Sequence, residues 1–257
     1  MRRAAPLLIL SVLAAGGGPA VAGQTACWFE NGAVVAPAAI GGLAGDYVID
    51  LSAPHTLLHI DVAQGQGYAD TVPLPVRLAG QKVDAAPVTV LSLDYRAVGF
   101  ATPITGVIGA DILDRYVVTL DFTPCRLRLE RPGTTPNPAS GAIRVVMVGG
   151  VPTIVAAASD GLTGVSGPFA LDTASAGGVR ARGAADGPRQ KPAGALRALS
   201  LDGSLRQNLP AVVAGELPDG VVGALGVEVL LAYRLRLDPR ALRLWLTPAP
   251  AMAAAAQ

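Results

Sequence analysis

Apolar and polar positions in this chain mostly alternate over short spans, the pattern of half-buried strands. Leu74-Pro75-Val76-Arg77-Leu78 and Val88-Thr89-Val90-Leu91 predict two strands around a turn at Gly80. Leu196 to Leu201 and Leu209 to Val213 predict another pair around Asp202-Gly203, a dipeptide that favours tight hairpins. Tyr116 to Phe122 alternates as well, then turns into Arg126 to Leu129. Helical patterning is confined to Ala110 to Tyr116 and Val227 to Tyr233, each directly after a G-x-x-G. The expectation is a mostly β chain with one short helix late in each half.

The two halves are alike. Gly106 to Leu129 aligns without a gap on Gly223 to Leu246, with nine identities in 24 positions. They are the paired glycines Gly106/Gly223 and Gly109/Gly226, then Leu113/Leu230, Tyr116/Tyr233, Leu120/Leu237, Asp121/Asp238, Arg126/Arg243, Leu127/Leu244 and Leu129/Leu246. Upstream, Tyr47-Val48-Ile49-Asp50 mirrors Phe169-Ala170-Leu171-Asp172. Asp50 precedes Gly80 by 30 residues and Asp172 precedes Gly203 by 31; in both halves a proline follows the glycine seven residues later. Arg131 to Gly141, rich in Pro, Gly, Thr and Ser, reads as a linker. The predicted organisation is therefore residues 23–130 as a first lobe, 131–142 as linker, 143–247 as a second lobe and 248–257 as a disordered tail.

An apolar strand ending in Asp, a β hairpin, an aliphatic-aliphatic-Gly element and a short helix together resemble a lobe of the pepsin/retropepsin aspartic proteases. Val107-Ile108-Gly109 and Ala224-Leu225-Gly226 match that family's hydrophobic-hydrophobic-glycine element. The resemblance covers about residues 45–130 and 165–247. It implies a bilobal, pepsin-like acid protease fold built by internal duplication. It also implies one catalytic aspartate per lobe, which by position are Asp50 and Asp172. Two facing carboxylates cannot both ionise cheaply, so they share a proton. The ionised one then serves as general base on a bound water, and the protonated one as general acid. Such chemistry needs no metal and no cofactor.

The family triplet after the strand is Asp-Thr/Ser-Gly. Here the loops read Asp50-Leu51-Ser52-Ala53 and Asp172-Thr173-Ala174-Ser175. Thr173 keeps the hydroxyl that clasps the two loops, and Leu51 lacks it. Ser52 and Ala174 put a Cβ where the family has glycine, which narrows the backbone and the access. Leu51, Ser52, Thr173, Ala174 and Ser175 are thus the expected supports of the carboxylates. The first departure also favours a second reading, a catalytically weak or inactive protein of this fold that binds peptides or partners in the cleft.

Composition narrows the setting. The chain has 257 residues, 51% hydrophobic and 15% charged, with 20 Lys+Arg against 19 Asp+Glu. No basic run appears, which argues against a nucleic-acid partner. Arg2-Arg3, the apolar stretch Leu7 to Ala15 and Ala20-Val21-Ala22 read as a secretory signal over residues 1–22, cleaved near Ala22. The apolar stretch is too short for a span of about 20 residues. A periplasmic or secreted protein follows, with no membrane span after cleavage. In that compartment Cys27 and Cys125 are expected to pair rather than remain two buried thiols. Closing so long a loop is worth on the order of 4–5 kcal/mol.

Other candidates read more simply. His55, His59 and Asp61 space as H-x-x-x-H-x-D but lack a glutamate base, and read as surface or capping groups; no metal is expected. Gly65, Gly67 and Tyr68 are candidates for the tip of a flap over the substrate. The expected activity is an exported aspartic endopeptidase acting on an extended peptide or unfolded protein, as a monomer because two lobes in one chain complete a site.

Overall fold

The computed structural model describes residues 23–162, 164–181, 194–213 and 217–249. The signal-like segment 1–22 lies outside them. The first half carries β1 (Gln24–Ala26), β2 (Trp28–Glu30), β3 (Ala33–Ile40), β4 (Leu43–Ile49), β5 (Thr56–His59), α1 (Ile60–Gln64), β6 (Thr71–Leu78), β7 (Gln81–Leu91), α2 (Asp94–Ala97), β8 (Ile104–Ile108), α3 (Ala110–Leu113), β9 (Val117–Phe122) and β10 (Cys125–Glu130). The second half carries β11 (Ala142–Val148), β12 (Val151–Ser159), β13 (Gly164–Leu171), β14 (Val179–Ala181), β15 (Gly194–Leu196), β16 (Ala198–Leu201), β17 (Ser204–Arg206), β18 (Leu209–Val213), β19 (Gly223–Leu225), α4 (Val227–Leu230), β20 (Tyr233–Asp238) and β21 (Arg243–Pro248). The protein is mostly β, as the alternation predicts.

Two sheets hold the described strands. One runs β2-β3-β4-β8-β5-β7-β6. The other runs β1-β10-β9-β20-β21-β11-β12-β13-β19-β14-β18-β15, with β16 and β17 branching from β12. The pairing β9–β20, with Leu235 opposite Leu120 and Leu237 opposite Val118, stitches the halves together. Period-two patterning explains this ribbon. On β10, Leu127 and Leu129 are buried while Arg126 and Arg128 face outward. Arg234 holds Asp121 in a bidentate contact, and Arg236 Nη1 donates to both Glu130 and Thr119, across the seam. One apolar core, from Val34 and Tyr47 to Leu235 and Leu244, continues through both halves.

Several local expectations change. Helices α3 and α4 are single turns that stop before Tyr116 and Tyr233, because the chain must return to strand: Tyr233 already opens β20. Asp202 and Gly203 both adopt positive φ, 46° and 75°, and close a hairpin as foreseen. Its arms are β16 and β17; Leu209–Val213 instead pairs with β14 and β15. Ala142 opens β11 rather than ending the linker, and Pro248 ends β21 rather than starting a tail. Ala249 N–H still donates to Ala232 O (2.9 Å); the tail beyond it lies outside the described residues.

Cys27 and Cys125 form a disulfide across 98 residues, with Cα atoms 4.9 Å apart. It anchors the strand entering the first sheet to β10. Replacing both cysteines by serine should lower unfolding free energy by about 4 kcal/mol in the chain-entropy account. Urea unfolding of the variant and wild type measures it; equal midpoints would contradict the role assigned to the bridge.

Candidate active site

Asp50 and Asp172 follow the last residues of β4 and β13, each paired in parallel with a neighbour, β8 and β19. Their N–H groups donate to Ile108 O (3.0 Å) and Leu225 O (2.9 Å). Both aspartates thus sit at the open end of a parallel strand pair. The glycine after each neighbouring strand lets the aspartate loop pass. A Cβ on Gly109 would stand 2.6 Å from the His55 carbonyl, and one on Gly226 would stand 1.8 Å from Gly177 O. Ala110 N–H then donates to Ala53 O (2.7 Å), and Val227 N–H to Ser175 O (3.1 Å). The hydrophobic-hydrophobic-glycine element is therefore a packing requirement of these loops.

The two loops touch through Thr173. Its hydroxyl donates to Ile49 O (2.6 Å) and accepts from Leu51 N–H (3.1 Å), while its carbonyl accepts from Val34 N–H (2.8 Å). Leu51 returns no hydroxyl bond. Its side chain is 1% exposed and enters the core instead. One threonine makes the polar clasp and one leucine anchors by burial.

Both carboxylates are buried, 1% and 2% exposed, and all four of their oxygens accept hydrogen bonds. Asp50 Oδ1 accepts from Ser52 N–H (2.8 Å) and from the Ser52 hydroxyl (2.7 Å). Ser52 therefore supports the carboxylate directly, through its hydroxyl as well as its backbone N–H. Asp172 Oδ1 accepts from Ala174 N–H (3.0 Å). The remaining oxygens each meet a guanidinium: Asp50 Oδ2 accepts from Arg96 Nη1 (2.8 Å) and Asp172 Oδ2 from Arg180 Nη2.

These two arginines are absent from the sequence-based expectation. Arg96 lies 46 residues from Asp50, so no local pattern links them. Arg180 left one faint signal, a lone charge inside the apolar Val179-Arg180-Ala181 strand eight residues after Asp172. Arg96 is held in place by its segment. Asp94 faces His59 Nε2 (3.3 Å), Asn31 Nδ2 donates to Val98 O (2.8 Å), and Glu30 accepts from Ala101 N–H, Thr102 N–H (3.0 Å) and the Thr102 hydroxyl (3.1 Å). Burial disfavours the Arg96 charge, but the Asp50 carboxylate and the Tyr95 hydroxyl outweigh it and raise its pKa above the ordinary arginine value.

Asp50 and Asp172 line one cleft of about 680 Å³, together with Ser52, Ser175, Tyr95 and Phe100. Gly65, Gly67 and Tyr68 are not among its lining residues. Ile60 to Gln64 forms α1, the glycines lie in the turn after it, and the Tyr68 hydroxyl donates to Gly41 O (3.1 Å). The segment through Tyr95, Arg96, Val98 and Phe100 lines the cleft in their stead. His55 also lines it, while His59 Nδ1 accepts from Asp61 N–H (3.3 Å) as the cap of α1. His59, Asp61 and Asp94 come within 4.8 Å of one another, outside the cleft lining.

Comparison with protein-family models finds no match, and neither does sequence comparison with curated proteins. Comparison of folds does find matches, 165 solved chains in number. One is an aspartic proteinase from Irpex lacteus, with a TM-score of 0.55 over 91% of this chain and 99% of that one. Sequence identity is 13%, so the likeness is one of fold. The chain thus shares its mostly β architecture with a pepsin-like aspartic proteinase.

Burial raises the pKa of Asp172, and the charge of Asp50 raises it further; Arg180 and the Ala174 N–H oppose them without cancelling them. Unfolded, the carboxyl returns to about 3.9. Between the two values the folded chain binds more protons, so Asp172 costs stability as pH rises through its folded pKa. Asp172→Asn, with no proton to lose, should raise the melting temperature at pH 7. The gain should shrink toward zero below about pH 4, where both forms are neutral. A gain independent of pH, or a loss at pH 7, would contradict the raised pKa.

Proposed function

We propose that this chain is an exported aspartic endopeptidase of two similar lobes, formed by duplication, that hydrolyses peptide bonds between Asp50 and Asp172. The observation that carries the reading is the pair of buried aspartates at matching strand ends, joined by Thr173 and opening into one cleft. Asp172, with its raised pKa, is the proton-bearing member. Asp50 takes a proton from the attacking water as oxygen bonds to the scissile carbonyl carbon. Asp172 gives its proton to the carbonyl oxygen. Collapse of the tetrahedral intermediate breaks the C–N bond, the proton on Asp50 passes to the leaving amine, and the diol proton returns to Asp172. The Cys27–Cys125 disulfide suits an oxidising compartment, and no described helix is long and apolar enough to cross a membrane. Extended peptides, a monomeric state and cleavage of the leader near Ala22 belong to the same proposal.

A specific observation favours a second reading. Each aspartate is ion-paired with an arginine, and Leu51 leaves the clasp one-sided. A carboxylate held by a guanidinium is less ready to share a proton. On that reading the cleft binds peptides without cutting them.

Digestion of a denatured protein between pH 3 and 7, with and without pepstatin, separates the two. The protease reading predicts cleavage that declines as pH rises through the Asp172 pKa, and a loss of about 100-fold or more in Asp50→Asn and Asp172→Asn. Equal inertness of all three across the range would leave the binding reading.

A further inference from the structure

Two-carboxylate hydrolysis has no use for Arg96 and Arg180. They reach the site from unlike elements, α2 and β14. Arg180 stands opposite Ala224 of β19, where the first half places Leu57 opposite Val107 of β8. Ala224 and Val107 are matched positions of the repeat, so Arg180 replaces a leucine and is no copy of Arg96. Two unrelated segments thus deliver a guanidinium to the same place in each half.

Each arginine side chain is 30% exposed, and both line the cleft. Arg96 Nε donates to the Tyr95 hydroxyl (3.2 Å). Arg180 Nε is buried without a hydrogen-bond partner among the described residues. A guanidinium has five N–H donors in a planar fork, and each aspartate engages one of them. With one proton on the aspartate pair, two guanidinium charges face a single carboxylate charge. The cleft then lacks one anion.

We propose that Arg96 and Arg180 receive a substrate carboxylate, so that the cleft selects peptides with Asp or Glu beside the bond presented to Asp50 and Asp172. The inference rests on the peptide-cleft reading above. One edge of the fork keeps the aspartate while another takes the incoming carboxylate. A glutamine at that place offers a neutral acceptor with no charge to answer the guanidinium, and a lysine brings like charge.

The test uses matched peptides with Glu, Gln or Lys on either side of one cleavable bond. In the kinetic arm, kcat/KM for wild type should favour Glu over Gln by about tenfold. That ratio should fall toward one in Arg96→Gln and Arg180→Gln, while Arg96→Lys retains part of it. Equal kcat/KM for Glu and Gln peptides, or an undiminished ratio in both glutamine variants, overturns the proposal. The binding arm uses the full chain carrying Asp172→Asn, which keeps the single carboxylate charge of the pair, with fluorescently labelled peptides followed by anisotropy. Glu peptides should bind about tenfold tighter than Gln peptides; equal affinity overturns the proposal. Absence of cleavage by wild type would defeat the protease reading alone, since the binding arm still decides this one. Should an arginine variant fail to fold, the Glu-to-Gln ratio of the parent chain decides.

Discussion

Two carboxylates can share a dry cleft only if their lone pairs are answered and the backbones carrying them are fixed to one another. Much of this molecule serves that constraint. Parallel pairs β4–β8 and β13–β19 present Asp50 and Asp172, and Gly109 and Gly226 leave room for the loops that follow. Thr173 binds the loops across the halves, and the β9–β20 seam and continuous core keep the halves in register.

Departures from the aspartic-protease loop acquire physical roles within this frame. Leu51 gives up a hydrogen bond and gains full burial, on the order of 1.5–3 kcal/mol for a leucine side chain. Ser52 adds a hydroxyl to Asp50 Oδ1 that glycine has no means to supply. The Oδ2 oxygens go to arginines. The balance between burial, the neighbouring aspartate and the guanidinium decides where the proton sits, and at Asp172 the first two prevail.

The features legible in the sequence were those written in short-range pattern or in repetition. Alternation in Tyr116–Phe122 and Arg126–Leu129 foretold the β9–β10 hairpin because inward leucines and outward arginines are local facts, whereas the β9–β20 seam pairs strands of different halves and left no local mark. Asp50 and Asp172 stood out because each closes an apolar strand at the same point of the repeat. Arg96 was invisible because it is brought to Asp50 by a segment pinned through Glu30, Asn31 and His59, all distant in sequence. Gly65, Gly67 and Tyr68 lie outside the cleft lining for a related reason. Glycines at 65 and 67 suited a hairpin tip, yet Ile60 to Gln64 forms a helical turn capped by His59, and Tyr68 ties its exit to Gly41. Helices α3 and α4 were overextended because Tyr116 and Tyr233 match in the repeat, whereas β9 begins directly after Tyr116 and Tyr233 already pairs in β20.

On the protease reading, Asp50 and Asp172 share one proton, and Asp172 carries it. Carboxyl carbon NMR of the aspartate side chains, titrated with pH in wild type and in Asp50→Asn, tests it most directly. The Asp172 midpoint is expected above the ordinary carboxylate range of about 3.9 and should fall when the Asp50 charge is removed. An ordinary midpoint for Asp172, unmoved by Asp50→Asn, would contradict it.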